Sequence, residues 1–272
     1  MKSQLHFFAS AILLSMLFSS CTLFRFAYSP TIQQIPAFKE KNESRIIASA
    51  ASSLVGTENS YSVQGAYAVT DHFALTAAWN GSLRSQDELT TSNGSGTTTT
   101  EVVKYNRTSA EFGAGIFYPV SLDKQVFFEL YGGYGFGKND ITDNMTTNNG
   151  GNGFHKSKTN RFYFQPSFSF HPGNNFTLTP ALRFTSIGYT NIQTNYDNNE
   201  LELYQLLEIA NKRLLFIEPA LMTSFGFESA PWFRIQAQMN VSLLTGSTNT
   251  NYRSNYFSIG FQFDPVKAVK KK

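Results

Sequence analysis

The sequence predicts an all-β fold, an antiparallel up-and-down β-barrel of about ten strands, within a range of about eight to twelve. Three observations predict it. Apolar and polar residues alternate with a period of two over most of the chain, aromatic residues are plentiful where charges are scarce, and short turns alternate with long polar connections. Phe alone numbers 26 in 272 residues and charged residues make up 15%, well below the roughly 25% of soluble domains. A period of two puts alternate side chains on opposite faces of a strand, so each strand offers one oily face and one polar face.

The pattern is cleanest between Tyr105 and Gly137. Ala110, Phe112, Ala114, Ile116, Tyr118 and Val120 alternate with Arg107, Ser109, Glu111, Gly113 and Gly115. After a polar turn at 121–124, Val126, Phe128, Leu130, Tyr134 and Phe136 alternate with Glu129, Tyr131, Gly133, Gly135 and Gly137. Runs at 45–54, 61–70 and 73–81 precede this hairpin. Runs at 161–170, 176–187, 215–227, 232–243 and 256–263 follow it, and Phe162, Phe164, Phe168 and Phe170 share one face of the first of these. Short connections fall at Asp71-His72, 121–124, 171–174 and 228–231; long ones rich in Thr, Asn and Gly fall at 85–104, 138–160 and 188–212.

A soluble barrel also alternates, but its wet face carries abundant Lys, Glu and Asp. Here the polar face is mostly Ser, Thr, Gln, Gly and Tyr, and four phenylalanines on one strand would overfill a narrow lumen. The apolar face is therefore expected to meet lipid. Beyond the first twenty residues no run approaches the roughly 18 apolar residues of a membrane helix, which leaves strands to do the crossing. Short turns on one rim and long loops on the other are the asymmetry of outer-membrane barrels, whose short turns are periplasmic. Pro166, Pro180 and Pro219 lie within strands on the apolar face and are expected to mark bulges, since each removes a ladder donor.

Residues 1–20 read as a secretory signal. Ser19-Ser20-Cys21 resembles a bacterial lipobox, which makes Cys21, the single cysteine, a candidate for acylation; an incidental thiol is the alternative. Residues 21–42 contain two prolines and no periodicity, and are expected to form a periplasmic lead-in. The barrel is expected over 43–264 and a basic, solubilising tail over 265–272. Tyr28-Ser29-Pro30, the run from Pro36 to Lys41, and the strand from Gln64 to His72 resemble a group of uncharacterised outer-membrane barrel lipoproteins of the Bacteroidetes type. The resemblance extends over the full length. It implies an outer-membrane barrel with a lipid anchor and brings no catalytic residues. Ser258, Gly260 and Phe263 resemble the polar-x-Gly-x-x-aromatic signal that barrel-assembly machinery reads on final strands.

Arg107, Glu111, Glu129, Arg161, Arg183, Glu218 and Arg234 fall on the polar face. Isolated charges are expensive to bury, so these are expected to form a salt-bridged network filling the lumen, with an Arg-lined pore as the alternative. The net charge of +3 owes part to Lys270, Lys271 and Lys272, and no nucleic-acid footprint is indicated.

No Gly-x-Ser-x-Gly, His-Glu-x-x-His or phosphate-loop motif is present, and the scattered His and lone Cys have no metal-ligand spacing. No cofactor, metal or enzymatic activity is expected. Ten-stranded barrels include the omptin proteases, which use paired Asp residues and an Asp-His pair near the outer rim. His72 and His171 fall in short turns here, and His155, in the company of Asp140 and Asp143, reads as a solvated loop residue. Leu203, Leu206, Leu207 and Ala210 would share one side of a helix; the alternatives are an extension of the adjoining strands and an amphipathic loop helix.

The expected role is that of an integral outer-membrane barrel in contact with outer-membrane lipid, its polar lumen plugged and its loops at 85–104, 138–160 and 188–212 open to an extracellular partner. A narrow channel for small polar solutes and a membrane-tethered, lipocalin-like binder of an apolar ligand are the alternatives.

Overall fold

The computed structural model describes residues 24–53, 58–83, 85–92, 98–173 and 175–270. The expected signal and Cys21 lie outside the described residues. Strands β1 (Ser44–Ser52), β2 (Asn59–Ala68), β3 (Phe73–Leu83), β4 (Ser85–Ser92), β5 (Thr98–Pro119), β6 (Val126–Thr146), β7 (Asn152–Phe170), β8 (Phe176–Thr194), β9 (Leu214–Gly226), β10 (Phe233–Val241), β11 (Leu243–Thr245) and β12 (Asn255–Phe263) form one sheet. β4 prolongs β3 along β5, and β11 prolongs β10 along β9, so the sheet has ten staves. Each stave pairs antiparallel with its neighbours, and β12 closes the ring on β1. Closure leaves no unpaired edge, which a strand crossing hydrocarbon cannot tolerate.

The alternation resolves as the sequence pattern implies. Phe112, Phe162, Phe164, Phe225 and Phe261 face outward and about half exposed, whereas Glu111, Tyr131, Arg161, Gln165 and Arg183 face inward and are buried. On β9 the outward apolar residues run from Leu215 to Phe225. Ten residues at roughly 3.3 Å each, tilted by about 40°, cover about 25 Å, the height of a membrane-facing band. Inside, Gly113 and Gly133 leave the space that the Tyr163 ring fills, and Gly115 does the same for Tyr131.

Four expectations need correction. The prolines do not bulge: β7 and β8 keep one register across them, from Phe164↔Phe184 through Ser167↔Ala181 to Phe170↔Leu178, and the shifts fall instead at Thr142/Thr146 and Lys156/Lys158. The polar connections at 85–104 and 138–160 are mostly strand, because a wall beyond the apolar band needs only backbone pairing and Thr and Asn supply that as well as Phe does. The 188–212 region continues β8 to Thr194 and then forms α1 (Asn198–Leu203), capped by Asp197 and Glu200, and a 3₁₀ turn at Glu208–Ala210. Its leucines do not share a side, since Leu203 is 70% exposed while Leu206 is 1% exposed against the core. The basic tail is in part a helix, α2 (Pro265–Lys270), and its Lys267 is bonded to Glu43 at 2.9 Å.

The largest correction concerns residues 24–42. They are not a lead-in outside the barrel. Ala27, Tyr28, Ile32, Ile35 and Phe38 are all buried, and the segment runs through the interior from the long-loop rim to the short-turn rim. Phe24 accepts a hydrogen bond from Tyr105 at the first end, and the Lys41 amide donates to Asp71 at the second.

Candidate functional site: a threaded lumen

A polar barrel interior must satisfy its own donors and acceptors once water is excluded. In this barrel the threaded segment does so level by level. At the long-loop rim Arg25 bridges Glu101 at 2.6 Å and Asp143 at 2.9 Å, and lies over the Tyr204 ring at 3.9 Å. One level down, Glu58 binds Arg107 at 2.5 Å, Arg253 and the Ser29 hydroxyl, while Arg253 also reaches Asp87 at 2.6 Å. The Ala27 carbonyl accepts from Asn139 and Tyr189, each at 2.9 Å.

At mid-height Glu111 is held by Arg161 at 2.8 Å and Arg183 at 3.2 Å, with Thr31 of the segment donating as well. Beside it the Tyr28 hydroxyl donates to Glu218 at 2.7 Å. Glutamines lock the next stretch: Gln34 donates to the Gly65 carbonyl, Gln165 donates to the Gln34 carbonyl, and Gln64 donates to the Ile32 carbonyl. Below them Phe38 packs on Phe117, their centroids 5.8 Å apart.

The short-turn rim closes with Arg45 between Glu43 at 3.1 Å and Asp264 at 2.7 Å. Burial alone would raise the Glu43 carboxyl; Arg45 and Lys267 outweigh it and hold the group down to about 2. Burial, reinforced by Lys39, lowers the nearby His171 to about 3. A vestibule of about 790 Å³ opens here, with Lys39, Glu43, Arg45, His171 and Trp232 in its lining.

The seven charges picked out on the polar face all point inward, but they do not form one network. Arg161 and Arg183 share Glu111; Arg107 belongs to Glu58; Glu218 holds hydroxyls of Tyr28, Thr185 and Ser242; Glu129 is bonded to Ser169; and Arg234 donates to Ser224 and Thr177. Arg183 stands directly across from Glu218, yet its guanidinium turns to Gln165 and Glu111. The partners that the sequence reading lacked, Glu58, Arg253 and Arg25, lie at strand ends or in the threaded segment, where no periodicity marks them.

His155 is not a solvated loop residue. It lies within β7 with the inward parity of Ser157, Thr159 and Arg161, and is 1% exposed. Asp143 points inward too, but it is occupied by Arg25 and Tyr196. On β12, Ser258 and Gly260 face inward, and Phe263 packs outward against Trp232 with centroids 5.4 Å apart. Among the described residues no group of three or more His, Cys, Asp or Glu is arranged to hold a metal ion.

No protein-family model matches the chain, and no curated protein matches it. Among solved structures it is similar to the outer membrane protease OmpT from Escherichia coli, at 12% identity over 90% of this chain and 100% of that one, with a TM-score of 0.45. It is similar to the translocator domain of the autotransporter NalP from Neisseria meningitidis, at 11% identity over 81% and 88%, with a TM-score of 0.46. It is also similar to the COG4313 outer membrane channel from Pseudomonas putida F1, at 9% identity over 85% and 100%, with a TM-score of 0.39. None of these similarities carries a residue role to this chain.

Proposed function

We propose that this chain is an integral outer-membrane β-barrel, closed to solutes by its own residues 24–42, with a structural or interaction role. The observation that carries the reading is the threading itself: residues 24–42 occupy the lumen from one rim to the other and are bonded to the wall along that course. The outward apolar band, with polar groups enclosed, supports a lipid surround, and the contrast of short turns with long strands supports an orientation with the short turns in the periplasm. Secretion by the signal at 1–20, and recognition of Ser258, Gly260 and Phe263 by the assembly machinery, belong to the same proposal. So does contact of the long-loop region with an extracellular partner.

Acylation of Cys21 is part of the reading, with one change from the sequence expectation. Three residues span at most about 11 Å, and Phe24 is at the long-loop rim. A lipid on Cys21 would therefore enter the outer leaflet rather than the inner one. A protease reading has less support, because Asp143 is engaged by Arg25 and His155 faces the packed interior.

Planar-bilayer recording tests the closure. The full chain is expected to give no conductance steps, and a chain lacking residues 24–42, checked by heat-modifiable gel migration for an intact barrel, is expected to conduct. Steps from the full chain would overturn the reading.

A further inference from the structure

Beyond the apolar band toward the long-loop rim, the outer wall is basic on one side. Lys104 on β5, Lys138 on β6, and Lys156 and Lys158 on β7 share the outward parity of the phenylalanines, and Arg213, next to β9, stands with them. Lys138 and Lys158 are direct cross-strand partners, a placement in which like charges destabilise a sheet. Two carboxylates share this face, Asp140 directly across from Lys156 and Glu88 on β4. Neither is within 4 Å of a lysine of the group among the described residues. On the far side of the barrel the last outward positions of β1, β2 and β12 toward that rim are Ser52, Asn59 and Asn255.

The cations adjoin hydrocarbon-facing rings. On β7 only Asn160 separates Phe162 from Lys158 on the outward face, and on β6 Phe136 is followed outward by Lys138. Outward neighbours on one strand are about 7 Å apart. Arg213 spans the junction: it donates to the Asn160 side chain at 2.6 Å and to the Ser186 carbonyl at 2.9 Å, and its guanidinium lies 5.4 Å from the centre of the Phe162 ring. A trough of about 520 Å³ opens between Lys104, Thr142, Phe154 and Lys156. Cations placed one step beyond a stripe of exposed rings match an amphiphile with a phosphate head and acyl tails, and not a soluble anion, which has no use for the rings.

We propose that this face binds a phosphate-bearing lipid of the outer leaflet. Its head group lies against Lys138, Lys156, Lys158 and Arg213, and its acyl chains lie along Phe136, Phe162 and Phe164. The phosphate relieves the repulsion between Lys138 and Lys158, neither of which has a carboxylate within 4 Å among the described residues. The proposal rests on the outer-membrane reading above.

Native mass spectrometry of the protein in an uncharged detergent tests it, with dioctanoyl phosphatidic acid as probe and dioctanoyl phosphatidylcholine as control. The wild type is expected to carry discrete phosphatidic acid adducts and fewer phosphatidylcholine ones. The Lys138→Gln/Lys158→Gln variant is expected to bind phosphatidic acid about tenfold or more weakly, and Lys138→Arg/Lys158→Arg to restore it. Equal binding of the two lipids, or undiminished binding by the Gln variant, would overturn the proposal, as would displacement of phosphatidic acid by an equal concentration of inorganic phosphate. Such a failure with heat-modifiable migration retained removes only this proposal. Recovery of the protein in high salt without detergent would remove the outer-membrane reading beneath it.

Discussion

On β7, Arg161 and Lys158 are three residues apart and on opposite faces. Arg161 is buried, bonded to Glu111 at 2.8 Å and to Thr31 at 3.0 Å. Lys158 is exposed and faces Lys138 across the ladder. The same division holds around the barrel. Arg25, Arg45, Arg107, Arg183 and Arg253 each lie within 4 Å of an interior carboxylate, whereas the outward lysines of β5 to β7 have none. The difference teaches that charge inside this wall is internal architecture, fixed by desolvation, while charge outside it waits on whatever surrounds the molecule.

The largest expected effect comes from breaking an interior pair. Glu111→Ala leaves two buried guanidinium groups without their carboxylate and is expected to cost about 3–5 kcal/mol, read from the denaturant midpoint of the barrel refolded in vesicles. Lys158→Gln, its outward counterpart, is expected to stay within about 0.5 kcal/mol in lipid that lacks phosphate head groups free to bind. Equal losses in the two variants would erase the contrast between the faces.

Phe164→Arg puts a cation in the middle of the apolar band, where the expected cost is about 2–4 kcal/mol in the same assay. A neutral outcome would argue that this face meets water. A smaller effect separates two glycines. A Cβ at Gly133 would meet the Phe112 carbonyl and the Tyr163 ring, whereas one at Gly65 meets nothing within 4 Å. Gly133→Ala is expected to lose about 1–3 kcal/mol, and Gly65→Ala to be neutral or slightly stabilising.

These contrasts also mark what the sequence made legible. Which residues share a face follows from the period of two, and the outward phenylalanines from Phe162 to Phe170 record that directly. The extent of the strands is less legible. Outside the band the same wall is built from Thr, Asn and Lys, whose composition reads as loop, and so Lys138, Lys156 and Lys158 look like parts of a connection rather than a face. The threaded segment is the least legible. Tyr28, Gln33, Gln34 and Phe38 must satisfy a wall that surrounds them on all sides, so no face is favoured and no periodicity appears. Arg107 and Glu111 are visible as inward charges, but Glu58 and Arg253, set at strand ends, are recognisable only once the ring is closed.

The smallest expected effect is pH-dependent and confined to the short-turn rim. Glu43 is held down to about 2, below its ordinary value near 4.5. Its contribution is therefore present above pH 4.5 and fades as the pH falls from there toward 2. Amide protection, measured against the intrinsic exchange rate at each pH, is expected to be lower at pH 3 than at pH 7 over residues 39–45 and 264–268, while the Glu111 level of the lumen stays protected. Glu43→Gln should show the lowered protection at both pH values.

Closure of the lumen and the placing of the lipid anchor both depend on residues 24–42 crossing the barrel with their start at the long-loop rim. Single cysteines at Phe24 and at Glu40, each in a Cys21→Ser background, and a membrane-impermeant maleimide applied to intact cells, test this directly. Phe24→Cys is expected to label on intact cells, and Glu40→Cys only after the outer membrane is permeabilised. Labelling of Glu40→Cys on intact cells with Phe24→Cys protected, or protection of both until permeabilisation, would contradict the threaded lumen.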